Sequence, residues 1–116
     1  MALEYHDVVS GERFEESGFS GAAARTYKMT DVRFDAHCAA VAADGVAIVS
    51  DIRQPTSAQR VALFTFDDGG ASALDPADIL ERFGWRGHFF VTTGAIQEPP
   101  GSSTEPMPVH CTSVVT

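Results

Sequence analysis

Two adjacent carboxylates, Asp67 and Asp68, are the residues of this chain whose type and position best suit chemistry. They directly follow the apolar run Val61 to Phe66 and are followed by two glycines. Neighbouring carboxylates repel one another, so a bound cation or a shared proton stabilises the pair, which suits metal binding and acid/base work. The plainer interpretation is a turn that carries two solvated acids.

The elements around this acidic pair predict a βαβ unit. Val61 to Phe66 is rich in strand formers and predicts a buried strand. Asp75 and Pro76 predict the N-cap and first position of a helix that stops at Gly84. His88 to Thr93 predicts a second buried strand, parallel to the first. Ligand sites in parallel α/β folds gather at the carboxyl ends of the strands, where the acidic pair stands.

Residues 1–57 predict a lead-in with one helix and one short strand. Thr30 as N-cap and Gly45 as a left-handed stop frame a helix from about Asp31 to Ala43. Val46 to Val49 predicts a short buried strand. The Gly, Ser and Glu-rich stretch 11–21 has no period and predicts a loop.

The composition excludes several classes of protein. Sixteen Asp and Glu against eight Lys and Arg give a net charge of -8, which argues against nucleic acid as a partner. No apolar stretch approaches the roughly 20 residues of a membrane span, and the first residues do not resemble a secretion leader. Two distant cysteines do not form a disulfide framework. A cytoplasmic globular protein is the default expectation, and its oligomeric state is left open.

Residues 61–96 contain three motifs in order: T-F-D-D-G at 65–69, L-x-x-F-G at 80–84, and F-F-V at 89–91 with T-G at 93–94. Together they resemble the opening segment of the polysaccharide deacetylase family, also called the NodB-homology family or carbohydrate esterase family 4. Upstream, Tyr5-His6-Asp7-Val8 is similar to the lead-in that many bacterial members carry before the core domain.

The resemblance implies a metal-dependent hydrolase of carbon–nitrogen bonds other than peptide bonds, which removes acetyl groups from N-acetylated carbohydrate. In the family the first acid of T-F-D-D is the catalytic base, which would be Asp67, and the second is a metal ligand, which would be Asp68. Two histidines of a later H-[ST]-x-x-H motif complete the family's site, usually around zinc. We therefore expect an α/β fold that forms the incomplete N-terminal portion of a distorted (β/α) barrel, a saccharide substrate and a divalent metal, with Zn²⁺ the first expectation.

The four histidines depart from the family pattern, because none is paired in H-x-x-x-H. His88 is predicted to be a strand residue and His37 to lie half exposed on the first helix. His6 either approaches the site or makes a structural hydrogen bond. His110 falls in a proline-rich tail. We therefore expect an incomplete metal site and little or no turnover by this chain alone.

Residues 97–116 hold four of the six prolines and predict an unstructured tail. The resemblance stops near Ile96. In a neighbouring reading frame, the codons of the tail permit the string F-L-D-R-A-D-A-R-A-L-H-E-R-G-H, which is similar to the family's next segment. The expected organisation is a lead-in at 1–57, the start of a deacetylase domain at 58–96, and a tail at 97–116 that is out of frame, the end of a gene fragment, or a genuine end.

A second interpretation is a non-catalytic α/β fragment, or a module whose acidic pair binds Mg²⁺ as in receiver domains. The receiver resemblance is the poorer one, because Lys28 is the only lysine and lies in a predicted loop.

Overall fold

The structure is a computed structural model that describes residues 1–13, 21–67, 71–92 and 111–115. In chain order its strands and α-helices are β1 (Ala2–Tyr5), β2 (Asp7–Val9), α1 (Ala22–Arg25), β3 (Lys28–Thr30), α2 (Asp31–Asp44), β4 (Ala47–Ile48), β5 (Val61–Phe66), α3 (Leu74–Arg82), β6 (His88–Thr92) and β7 (Cys111–Val115). A five-stranded sheet has the order β1-β5-β6-β7, with β4 also paired to β5, and a second sheet pairs β2 with β3 in parallel. The expected mixed α/β fold with parallel strands is confirmed.

The predicted βαβ unit is confirmed. β5 pairs in parallel with β6, and α3 connects them. Gly84 follows the helix with a φ of 74°, the left-handed conformation expected of a helix stop. The predicted start of this helix is wrong, because α3 begins at Leu74 after a 3-10 turn at Ala71–Ala73. Asp75 therefore lies inside the first turn, where its carboxylate accepts hydrogen bonds from Arg13 instead of capping the helix.

The first predicted helix is confirmed as α2, one residue longer than expected. The hydroxyl of Thr30 accepts a hydrogen bond from the backbone N–H of Arg33 at 3.4 Å, which is N-capping geometry. Gly45 ends the helix with a φ of 70°. The strand predicted at 46–49 forms as β4, which is shorter and half-buried.

The core lies on one face of β5. Ala62, Phe64 and Phe66 are buried, whereas the alternate residues of the strand are half-buried, so the prediction of a buried strand holds for one face only. On the covered face, Phe34 of α2 lies edge-on to Phe64 with ring centroids 6.0 Å apart. Phe66 stacks on Phe89 of β6 at 4.5 Å, within the range of favourable aromatic pairs. Aromatic packing therefore joins the helices to the central strands.

β4 and β6 lie on the same side of β5. Ala47 of β4 donates to the carbonyl of Arg60 and Val49, directly after β4, to that of Ala62, whereas the N-terminal ammonium donates to the carbonyl of Val61. Successive carbonyls along a strand point in opposite directions, so β4 and β1 lie on opposite edges of β5. β4 shares its edge of β5 with β6, which pairs nearer the carboxyl end of the strand. His88 stands where the two meet and donates from Nε2 to the carbonyl of Val49 at 3.2 Å. The prediction that His88 is a strand residue is confirmed.

The tail differs from its prediction. The segment Cys111–Val115 forms β7, which pairs antiparallel with β6, so the expectation of an unstructured tail is wrong for these five residues. The physical reason is that a run rich in β-branched residues can pair with the free hydrogen-bonding edge that β6 presents. Residues 93–110 and 116 lie outside the described residues, and the out-of-frame interpretation stays a prediction.

The lead-in contains strands that the sequence patterns did not reveal. β1 pairs in parallel with β5, and β2, whose three residues are all buried, pairs with β3. In the stretch predicted to be a loop, a 3-10 turn forms at Gly11–Arg13 and residues 14–20 lie outside the described residues. No helix among the described residues is long and apolar enough to cross a membrane.

The close packing at Gly87 generates a first prediction. A Cβ there would lie 2.7 Å from a ring carbon of Phe66 and 3.0 Å from Leu80. We expect Gly87→Ala to lower the free energy of unfolding in urea by about 1–3 kcal/mol through overpacking. Gly11→Ala is the control, because no atom lies within 4 Å of a Cβ at that position. Equal stability of the two variants would contradict the packing around Gly87.

The buried thiol of Cys38 generates a second prediction. Burial, with a smaller contribution from Asp35 and an opposing one from Arg82, raises the pKa of Cys38 from 9.0 to about 11. In a Cys111→Ser background, we expect an aromatic disulfide reagent at pH 8 to label the native protein at least about 100-fold more slowly than the urea-unfolded protein. The native rate should keep rising up to about pH 11. Similar rates for native and unfolded protein would show that Cys38 is not buried.

Candidate functional site

Asp67 stands at the carboxyl end of β5, as the sequence predicts. Its backbone N–H donates to the carbonyl of Tyr5 at 2.9 Å, so the ladder between β1 and β5 continues through this residue. Its side chain is half-buried. The backbone of Asp67 is therefore held by the sheet. Asp68 lies outside the described residues, so its predicted role as a metal ligand stays a prediction.

Two side chains of the lead-in meet Asp67. Glu4 of β1, His6 at the bend after β1 and Asp67 bring one potential ligand atom each to within 4.8 Å of one another; we call these three residues the acid–histidine cluster. The Nε2 of His6 lies 3.7 Å from Oε1 of Glu4. The His6 ring also makes an edge contact with Tyr27, at 5.1 Å between centroids. This arrangement places His6 beside Asp67, and both roles expected for His6, an approach to the site and a structural hydrogen bond, stay predictions.

The register of β1 on β5 explains the cluster. Glu4 pairs with Thr65 and Tyr5 with Phe66, so His6 follows β1 at the level where Asp67 follows β5. Side chains alternate between the faces of a sheet, and Tyr5 points with Phe66 into the aromatic core. Glu4 and Asp67 consequently belong to the opposite, open face. Burial raises the pKa of Tyr5 above 10.0, with a smaller contribution from Cys38, so its phenol stays neutral on the core side.

A buried carboxylate, Asp7, lies beside Ser72, which follows Asp67 and the segment 68–70. Asp7 is only 6% exposed, and its Oδ1 accepts a hydrogen bond from the hydroxyl of Ser72 at 2.5 Å. Its Oδ2 has no hydrogen-bond partner among the described residues. Ser72 follows the segment 68–70, and Asp67 precedes it. The residues on either side of that segment are therefore fastened to the lead-in, Asp67 to β1 and Ser72 to β2.

The other histidines lie away from the cluster. His37 is half-buried on α2, as predicted, with its Nδ1 3.5 Å from the hydroxyl of Tyr5 on the core side. His88 is 4% exposed, and its ring donates to a backbone carbonyl. His110 lies outside the described residues. Of the histidines that the structure describes, His6 alone joins an acidic side chain of the site.

The larger depressions of the described surface do not coincide with the cluster. A cavity of about 10 Å³, the size of one water molecule, adjoins His6 and Ser72. Depressions of about 390 and 530 Å³ lie beside Trp85 and beside the loop after β4. In the larger one, hydrogen bonds from Arg53 lower the pKa of Asp51 to about 2, which marks a surface ion pair. The chemistry of the cluster, and not pocket size, identifies the candidate site.

The arrangement combines one imidazole nitrogen with two carboxylate oxygens. Such a set can hold a divalent cation or move a proton between a carboxylate and a water molecule. The sequence interpretation singled out Asp67 and considered His6, but missed Glu4, Asp7 and Ser72. The sequence signal for Glu4 and Asp7 was the stretch L-E-Y-H-D-V-V, in which charged and polar residues interrupt an apolar, strand-forming run.

Comparison of the chain with protein-family models, with curated proteins and with solved structures found no match. The resemblance to the deacetylase family therefore stays a prediction carried by the motifs themselves.

The Asp7–Ser72 contact generates a third prediction. Ser72→Ala removes the hydrogen bond of a buried carboxylate, so we expect a loss of about 1–3 kcal/mol in the free energy of unfolding. Ser57→Ala, at an exposed position, is the matched control and should change stability by less than about 0.5 kcal/mol. Urea unfolding followed by circular dichroism measures both. A neutral Ser72→Ala would mean that water satisfies Asp7 equally well.

Proposed function

We propose that this chain carries the opening segment of a metal-dependent hydrolase that cleaves a carbon–nitrogen bond other than a peptide bond. Its substrate class is N-acetylated carbohydrate, from which it releases acetate. Its fold is proposed to be the N-terminal portion of a distorted (β/α) barrel. The observation that carries the proposal is the place of Asp67, held at the carboxyl end of a parallel strand beside His6, where parallel α/β enzymes keep their reactive groups.

The arrangement of the sheet supports a barrel wall. β1, β5 and β6 are parallel neighbours, and α2 and α3 pack on one face of them; among the described residues no helix packing falls on the other face. A (β/α) barrel has helices outside and side chains of neighbouring strands inside, and needs roughly 250 residues to close. β7 is antiparallel to β6, which does not suit such a wall. The out-of-frame proposal accounts for this, since another continuation would replace β7.

The proposed reaction begins with a water molecule next to Asp67. The carboxylate of Asp67 accepts a proton as the water oxygen bonds to the acetyl carbon. The carbon–nitrogen bond then breaks, the amine takes up the proton, and acetate leaves. Asp68 is proposed to be a ligand of a divalent ion, which, when bound, would supply positive charge to the acyl oxygen. Carboxylate and imidazole groups are suitable donors for such an ion, so the residues present fit it.

Turnover by the 116 residues alone is proposed to be weak or absent, because the sequence contains no H-x-x-x-H pair. A second candidate function, a non-catalytic module that binds a divalent cation, is favoured by one observation. The acid–histidine cluster is formed entirely by residues of this chain. The two functions differ in whether acetate is released.

Acetate release tests the proposed function. We expect chitin oligosaccharides to release acetate when incubated with a form of the protein whose downstream reading frame is restored after codon 96, and not with the 116-residue chain. Asp67→Asn in the restored form should slow the reaction at least about 100-fold, since it removes the general base. Asp75→Asn, which alters a surface pair with Arg13, is the control.

Two results would contradict the proposal. The first is a restored protein that releases no acetate from any N-acetylated saccharide. The second is an Asp67→Asn variant that keeps the full rate. Sequencing of the coding DNA tests the frame itself, because no ligand histidines in any downstream frame would end that interpretation.

A further inference from the structure

We propose that Glu4, His6 and Asp67 together bind a divalent metal ion, with Nε2 of His6 and one oxygen of each carboxylate as ligands. The three ligand atoms already lie within 4.8 Å of one another, and the His6 and Glu4 atoms within 3.7 Å. A metal with bonds of about 2.1 Å holds its ligand atoms roughly 3.0–3.4 Å apart. Glu4 is exposed and His6 partly exposed, so rotation about side-chain bonds closes the remaining gap.

The backbone beneath the cluster is held before any metal arrives. β1 and β5 pair over four consecutive residues, and the N–H of Asp67 donates to Tyr5 at the end of that ladder. On the reverse side, Tyr5 stacks against both Phe64 and Phe66. The two strands that carry the ligands therefore cannot separate without breaking the core. Metal binding therefore requires little further ordering of the chain, and this small entropic cost favours a high affinity.

Electrostatics also favours a cation. Glu4 and Asp67 bring two negative charges close together, and the sequence places a third carboxylate, Asp68, next to Asp67. Like charges at such distances destabilise one another, and a divalent cation relieves that repulsion. The chain as a whole carries a net charge of -8, which attracts cations to its surface.

The donor set indicates which metals fit. Ca²⁺ and Mg²⁺ prefer oxygen ligands throughout, whereas an imidazole nitrogen suits Zn²⁺ and its first-row neighbours, and carboxylates suit Mn²⁺. Three protein ligands leave further positions for water, as in catalytic sites and unlike closed structural sites. Zn²⁺ and Mn²⁺ are therefore the probes of choice.

This inference deepens the proposed function. A role of the metal in catalysis rests on that function, whereas metal binding by the three residues does not. It differs from the family pattern in its ligands, because it uses the lead-in strand and requires no histidine after Asp67. One oxygen of Asp67 would bind the metal and the other would remain available to accept a proton.

Metal titration of the 116-residue chain tests the inference. After removal of metals with a chelator, Zn²⁺ is titrated calorimetrically at about pH 7.5, because protons compete with the metal for the ligand atoms at lower pH. We expect one site, and we expect His6→Ala and Glu4→Gln each to weaken binding at least about tenfold. The controls are His37→Ala and Glu81→Gln, a histidine and an exposed glutamate outside the cluster, which should bind as the unmodified chain does.

Paramagnetic Mn²⁺ supplies an independent measurement. It should broaden the nuclear magnetic resonance signals of the His6 ring before those of His37 and His88. Circular dichroism of each variant establishes that it is folded, and Glu4→Gln is a conservative change at an exposed position that keeps the test available if His6→Ala unfolds. Unchanged Zn²⁺ affinity in folded Glu4→Gln, or equal broadening of all histidines, would overturn the proposed site.

The outcomes for the two proposals are separable. Zn²⁺ binding that requires Glu4 and His6, without acetate release by the frame-restored protein, supports this site and contradicts the proposed function. Acetate release that Glu4→Gln leaves unchanged supports the function and contradicts this metal site.

Discussion

The parallel ladder between β1 and β5 is the interaction on which both the core and the candidate site depend. It joins residues about 60 positions apart, from the N-terminal ammonium on Val61 to the N–H of Asp67 on Tyr5. On one face of this ladder Tyr5 stacks with Phe64 and Phe66. On the other face the same register brings Glu4 and His6 to Asp67. A slip of one residue would exchange the two faces, so the aromatic packing also specifies the polar cluster.

The two faces of β5 have opposite energetic roles. The covered face buries Phe64 and Phe66 against α2 and α3, and burial of a large apolar side chain contributes roughly 1.5–3 kcal/mol. The open face concentrates acidic groups that repel one another in the absence of a cation. A site with unfavourable charge can therefore persist because the opposite face of the same strand is strongly packed. Residues that are locally unfavourable, such as these acidic side chains, are typical of functional positions.

The bend at His6 separates two consecutive strands that pair in different sheets. Before the bend β1 belongs to the five-stranded sheet, and after it β2 pairs with β3 in the smaller sheet. Asp7 enters the interior directly after the bend and accepts a hydrogen bond from Ser72, which follows the segment 68–70. The lead-in thus forms a wall of the candidate site and is more than a connection to the motifs downstream.

The sequence by itself determined the elements whose signals are local. α2 was recognisable from Thr30 and Gly45, and the βαβ unit from an apolar run, a glycine stop and a second apolar run, because capping and periodicity act over a few residues. The position of Asp67 at a strand end followed from the same signals. The start of α3 was misplaced, since Asp75 is drawn to Arg13, which is 62 residues away.

Only the tertiary structure decided what stands beside Asp67. β1 and β2 are short, and their pairing with β5 and β3 is a long-range choice that no local pattern encodes. The same holds for β7, whose strand exists against the edge of β6. Glu4, Asp7 and Ser72 acquired their places through these pairings. Strand formation depends on the partner that supplies the other half of the hydrogen bonds, and in this chain that partner is distant in sequence.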